Sequence, residues 1–211
     1  MFYRIDKLVI RSPFSIKRPR TREDCLVLRT SSSFPPAHPS TKAALTVLNR
    51  LEIIKNARIL DIGCGSGILG LAAALKNGSI ALGCDINPAA IRASVHNAAY
   101  NRMADRLHLF RGSADAVSGS FNLILANLHT NVHFEMFEHY RRLLPLTGGL
   151  LVVSGFYDVQ AANIEKELTQ RGFTALERVQ VEAWAAAVPP DGSFTWVGLG
   201  LKRVAEDAGF V

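Results

Sequence analysis

Apolar runs long enough to cross a bilayer are missing from this chain. The longest, such as Ile68–Leu75, fall far short of the roughly 20 residues a spanning helix needs. Met1–Ile10 carries Arg4, Asp6 and Lys7 inside its apolar stretch, so it is not expected to act as a secretion signal. Cysteine is scarce. Cys25, Cys64 and Cys84 are an odd set with no C-x-x-C spacing, which argues against a disulfide framework or a zinc knuckle and favours a reducing cytoplasm. Internal repeats and low-complexity tracts are also missing. Acidic residues are the minority, 18 against 24 Lys and Arg, so the chain carries a net +6.

What is present suits one α/β domain. The chain has 211 residues, 48% hydrophobic and 20% charged, which is too apolar for a disordered segment. The charge is concentrated. Residues 1–30 hold eight Lys/Arg against three acids, a net +5 that leaves +1 for the other residues. Such a basic lead-in attracts RNA, a ribosome surface or an acidic protein; the plainer reading is a solvated arm.

From about Ala44 the pattern alternates. Ala44, Leu45, Leu48 and Leu51 recur at helical spacing. Strands are expected at Ala57–Ile62, Ile80–Cys84, Arg106–Phe110, Phe121–Ala126 and Gly149–Ser154, with helices between or after most of them. Asn87 precedes Pro88, a favoured first helical residue. Two last strands, Phe173–Glu182 and Phe194–Lys202, have no helix between them, and Pro189-Pro190-Asp191-Gly192 marks a hairpin. The expectation is a Rossmann-like sheet of seven strands, mostly parallel, with an antiparallel strand from the C-terminal hairpin and helices on both faces. The expected organisation is a basic arm and linker at 1–36, a ligand-binding domain at 37–205 and a tail at 206–211.

One motif carries the chemistry. Leu60-Asp61-Ile62-Gly63-Cys64-Gly65-Ser66-Gly67-Ile68-Leu69-Gly70 ends the first of these strands and opens a helix. Glycines there let a ligand approach the backbone, and Asp85, 22 residues past Gly63, suits a ribose diol. Gly65-x-Gly67-x-x-Gly70 also satisfies the dinucleotide pattern, so two cofactors compete. Asp61 separates them. A carboxylate beside the turn would repel a pyrophosphate, whereas S-adenosylmethionine offers an ammonium and a sulfonium. Cys64 reads as a small turn residue or, less simply, as a reactive thiol. Asn127 follows the fourth strand, where α/β sheets bind ligands; its plainer reading is a helix N-cap. His129 and His133 are four apart, but residue 130 is Thr, so the His-Glu-x-x-His pattern is lacking and no metal is expected.

With these residues in place, the chain resembles the PrmA family, class I methyltransferases that modify amino groups of a large-subunit ribosomal protein. The resemblance rests on Leu8–Phe14, His38-Pro39-Ser40-Thr41, Asp61–Gly70, Asp85-Ile86-Asn87-Pro88, Ala126-Asn127-Leu128, Ser154-Gly155 and Trp196-Val197-Gly198-Leu199. It implies S-adenosylmethionine contacts from Thr41, Asp61, Gly63, Cys64, Gly65, Gly67, Asp85, Ile86, Ser113, Ala114 and Asn127, with Asp115 an alternative to Ser113 at the adenine. Asn127 is the implied catalytic residue, aiming the acceptor nitrogen at the methyl group for in-line displacement. His38, Leu128, Phe156 and Tyr157 are expected near the acceptor, a protein amine. Methyl transfer to RNA or a small molecule, and a non-catalytic binding module, are the alternatives. Three departures are expected to matter. Phe34-Pro35-Pro36-Ala37 replaces the family's glycines, giving a stiffer lid. The family's separate substrate-recognition domain is expected to be lacking. Trp184 and 185–194 read as an enlarged hairpin.

Overall fold

A computed structural model describes residues 1–29, 35–76, 79–183 and 192–205. The seven-stranded sheet comprises β4 (Arg58–Ile62), β5 (Ile80–Asp85), β6 (Leu107–Arg111), β7 (Leu123–Asn127), β8 (Leu150–Tyr157), β9 (Phe173–Glu182) and β10 (Thr195–Arg203). Their order is β6-β5-β4-β7-β8-β10-β9. The first five run parallel; β10 lies between β8 and β9 and is antiparallel to both. This is the expected sheet with its single reversed strand.

Burial explains the centre of the sheet. From Ile59 to Ile62 and from Leu123 to Ala126 every residue is buried, as required of strands covered on both faces. Helices α1 (Pro39–Arg50), α2 (Ile68–Leu75) and α3 (Pro88–Tyr100) cover one face; α4 (Thr130–Leu143) and α5 (Asp158–Gln170) cover the other. Three devices fix the ends of these helices. His38 Nδ1 accepts the N–H of Ser40 at 3.3 Å at the start of α1, and Asn87 Oδ1 accepts that of Ala89 at 2.9 Å at the start of α3. Lys76 Nζ donates to the carbonyls of Leu48, Asn49 and Leu51 at 2.9–3.1 Å and closes the C-terminus of α1.

The chain leaves β4 toward β5 and β6, then returns to build β7 and β8 on β4's other side. Strand order therefore reverses between β4 and β7, and a crevice opens at their C-terminal ends, the usual ligand position in such sheets.

The N-terminal stretch departs from the arm and linker expected of it. β1 (Phe2–Ile5), β2 (Leu8–Arg11) and β3 (Asp24–Val27) form a second sheet of three strands. Ile5, Leu8, Ile10, Leu26 and Leu28 bury in the same core as α1 and α2. The charge count hid this. Arg4 and Lys7 stay exposed beside the short apolar segments at Ile5 and Leu8-Val9-Ile10, which pack inward. Tyr3 Oη donates to the carbonyl of Pro36 at 2.5 Å, tying this sheet to the segment before α1. The hairpin residues Trp184 to Asp191 and the tail 206–211 lie outside the described residues.

Candidate active site

A cavity of about 300 Å³ occupies the crevice. Its floor is the turn after β4, where Gly63, Gly65 and Gly67 adopt φ of +69°, +56° and +77°. Side-chain-bearing residues rarely adopt such positive φ, so glycine at these positions leaves the turn its shape. Thr41, Asp61, Gly63, Cys64, Gly65 and Asn127 line this cavity together with His38 and Leu128. A larger concavity of about 570 Å³ lies at the opposite edge of the sheet, by Asn122 and Leu150 at the starts of β7 and β8. It has neither the glycine turn nor the strand C-termini.

Asp61 is 1% exposed, and its Oδ2 accepts the N–H of Gly70 at 2.9 Å. Burial pushes its carboxyl up to about 7, and nearby Asp85 adds to the rise, against the lowering effect of the Gly70 bond. A buried acid poised in this way takes its charge fully when a cation lies beside it.

Asp85 ends β5 and stands behind the turn rather than on the cavity wall. Its Oδ2 accepts the N–H of Gly65 at 3.0 Å and its Oδ1 that of Asn87 at 2.8 Å, which leaves lone pairs for further donors. Ile86 beside it is 73% exposed.

Asn127 is the last residue of β7, and α4 is capped by His129, so the N-cap reading does not hold. Its Nδ2 donates to Thr41 Oγ1 at 3.1 Å, and its Oδ1 is buried without a partner among the described residues. An orphaned buried acceptor is costly unless something fills it. Thr41 does not simply begin a helix either: it is buried in the first turn of α1, against Asn127.

Not all of the other expected residues reach the cavity. Cys64 is buried 3.6 Å from Ser94 Oγ, and burial pushes its thiol up, which removes the reactive-thiol reading. Ser113 donates to Asp115 Oδ2 at 2.5 Å away from the cavity wall. Ala114 is fully buried, and its carbonyl accepts Arg142 Nη2 at 3.0 Å. Phe156 does not wall the site: it is 1% exposed and packs edge-on to His133 at 5.4 Å. Strand alternation turns it to the opposite face from Tyr157, whose ring lies 4.1 Å from Trp196. Among the described residues no group of three or more His, Cys, Asp or Glu is placed to hold a metal, and both ring nitrogens of His133 are engaged with protein oxygens.

The sequence reading missed two contributors. Trp196 lines the cavity and meets His38 in a T-shaped contact at 4.6 Å; its place in the Trp-Val-Gly-Leu motif was the available signal. Ser154 has its Oγ 2.7 Å from the carbonyl of Val197 and 3.0 Å from that of Ser40, joining β8, β10 and α1 under the cavity. Its place in the Ser154-Gly155 pair was the available signal.

Comparison with known proteins agrees with this fold. A family model described as ribosomal protein L11 methyltransferase (PrmA) matches residues 35–189. The ribosomal protein L11 methyltransferase of Methylococcus capsulatus is 37% identical over 150 residues, covering 70% of this chain and 49% of that protein. Its counterpart from an Enterobacter species is 35% identical over 147 residues, again 70% and 49%. The chain thus spans about half the length of these curated relatives. The crystal structure of a ribosomal protein L11 methylase from Lactobacillus delbrueckii subsp. bulgaricus superposes with a TM-score of 0.77 at 24% identity, over 93% of this chain and 94% of that one, and shares the fold. On the strength of the matched family model, this chain belongs to the ribosomal protein L11 methyltransferase (PrmA) family.

Proposed function

We propose that this chain is an S-adenosylmethionine-dependent N-methyltransferase acting on a protein amine, of the kind its relatives' name specifies, ribosomal protein L11. The observation that carries the reading is the buried Oδ1 of Asn127, without a partner among the described residues, on a side chain that lines the same cavity as buried Asp61 and the glycine turn. The cavity suits a cationic nucleoside. Asp61 would face its positive groups, the backbone at Gly63, Cys64 and Gly65 would admit it closely, and Asp85 would accept its ribose hydroxyls. Thr41 would close over it from α1, and exposed Ile86 offers an apolar shelf for a purine. Ser113 is engaged with Asp115 and Ala114 is fully buried, so neither has a part in this assignment.

When bound, S-adenosylmethionine supplies an electrophilic methyl group on a cationic sulfur. The chain's task is to position the acceptor. Asn127 Oδ1 would accept an N–H of the incoming amine and fix the direction of its lone pair, while Thr41 holds the amide in that orientation. A lysine amine, with a free pKa near 10.4, must arrive without its proton, and the apolar Leu128 and Trp196 walls favour the neutral form. Alignment of this kind contributes up to about 7–11 kcal/mol of barrier lowering in favourable cases. The domain assigned to this chemistry is 37–205. The three unpaired cysteines, two of them buried, fit a reducing, cytoplasmic setting.

The test has two stages on the full chain. Isothermal titration with S-adenosylmethionine comes first, then transfer of a radiolabelled methyl group into cell lysate with and without nuclease. Label on protein that survives nuclease is expected. Nuclease-sensitive label would redirect the activity to RNA, and tight binding without label would leave a binding module whose Pro35-Pro36 segment keeps acceptors out.

A further inference from the structure

The basic charge that reads as an arm is folded into a surface, and that surface carries more than charge. Phe14 is 85% exposed, yet it stands on a held turn. Ser15 N donates to the carbonyl of Ser12 at 3.1 Å, and Arg11 Nη1 donates to the carbonyls of Ser12 and Ser15 at 3.3 and 3.4 Å. A phenyl ring presented outward on a held turn offers a flat face on which a base can stack.

Beside it, a concavity of about 460 Å³ runs between this turn, the end of β3 at Leu28 and Arg29, and Ala93 and His96 of α3. The two walls are bolted together. Arg29 N donates to Asn97 Oδ1 at 2.9 Å, Val27 N to Asn101 Oδ1 at 2.8 Å, and Asn101 Nδ2 back to the carbonyl of Val27 at 2.8 Å. On α3, Arg92, His96 and Tyr100 repeat every four residues and share one exposed face, with Tyr100 53% exposed. Arg29 and Arg92 are exposed and have no carboxylate partner among the described residues.

We propose that this face, from the Phe14 turn across Arg29 to the Arg92–Tyr100 side of α3, binds single-stranded nucleic acid. The guanidinium groups without carboxylate partners meet phosphates, and the exposed rings of Phe14 and Tyr100 stack on bases. An acidic peptide would satisfy the charge but leaves Phe14 and Tyr100 without flat partners. The inference is independent of methyl transfer, because the face lies outside the Asn127 cavity.

Fluorescence anisotropy of the full chain with a labelled uridine 20-mer, a thymidine 20-mer and a glutamate 20-mer tests it. Binding of a nucleic acid strand well above the glutamate peptide is expected, and the tighter of the two strands identifies RNA or DNA as the source. The joint substitution Arg29→Ala with Arg92→Ala should shrink the slope of log affinity against log salt by about 1.4, two contacts at roughly 0.7 each. Phe14→Ala should weaken binding at least about five-fold, and Phe14→Trp should preserve it. These side chains lie outside the core, so the melting midpoint of each variant should match the parent. No strand binding at 50 mM salt would overturn the proposal. So would a glutamate peptide held as tightly as the strands, or unchanged affinity and salt slope in the variants.

Discussion

His133 Nε2 lies 2.8 Å from the carbonyl oxygen of Ser154, and that same oxygen accepts the backbone N–H of Leu128 at 2.9 Å. The carbonyl cannot donate, so the proton belongs on Nε2, and Nδ1, 3.0 Å from Tyr140 Oη, accepts from the phenol. A neutral imidazole thus joins α4, β8 and the turn that follows Asn127.

Burial drives the His133 pKa down to about 4, against the raising effect of its bond to Ser154. The unfolded chain, with an ordinary value near 6.5, binds this proton more readily than the folded one. His133 therefore contributes stability that is complete above about pH 6.5 and is lost as pH falls toward 4, a range worth about 3 kcal/mol. Asp61 acts in the opposite sense, because its folded pKa of about 7 lies above the unfolded value near 3.8. Urea titrations in an Asp61→Asn background should isolate the His133 slope between pH 7 and 4.5, and adding His133→Gln should flatten it.

Gly155 has φ of +100°, and a Cβ there would lie 2.1 Å from the carbonyl oxygen of Leu128. That neighbour is backbone and cannot swing aside. Gly155→Ala should cost about 3 kcal/mol or more in chemical denaturation, and should weaken cofactor binding because Leu128 follows Asn127 directly.

Asp85 and Asn127 should fail differently. Asp85→Ala removes acceptors for the N–H groups of Gly65 and Asn87 as well as for a ribose, so S-adenosylmethionine binding should fall about 100-fold or more in titration calorimetry. Asn127→Ala should lower turnover more than cofactor affinity. Equal losses in both would reduce Asn127 to a cofactor ligand.

The pH dependence of binding should report Asp61. Below about pH 7 the free protein holds a proton that a cationic ligand must expel, so affinity should decline as pH falls, by up to about tenfold per unit. Binding heats at pH 6.5 in two buffers of different ionisation enthalpy should differ for the parent chain and coincide for Asp61→Asn.

Much of the fold was legible because its signals are local. The β9 boundaries expected from the sequence match the structure, and β4, β5, β6 and β7 lie within about two residues of expectation, since apolar runs bounded by glycine, proline and asparagine mark them. The glycine turn and Asp85 were legible for the same reason. The N-terminal sheet was not: short apolar strands among arginines look like a charged tail until a partner surface is known. Phe156 and Tyr157 were read together as site residues, but neighbours on a strand face opposite ways, and only the packing of α4 decides which way is inward.

By itself the sequence determined a parallel α/β sheet, a glycine turn flanked by Asp61 and Asp85, and the surplus of positive charge in its first thirty residues. The tertiary structure alone decided that Asn127 meets Thr41 across 86 positions of chain, that the oxygen of its amide is buried with no partner among the described residues, and that Arg29 stands beside α3. The difference is physical. Periodicity and turn chemistry act over a few residues and can be read along the chain, whereas an unpaired buried acceptor or a shared face exists only once distant segments have closed on one another.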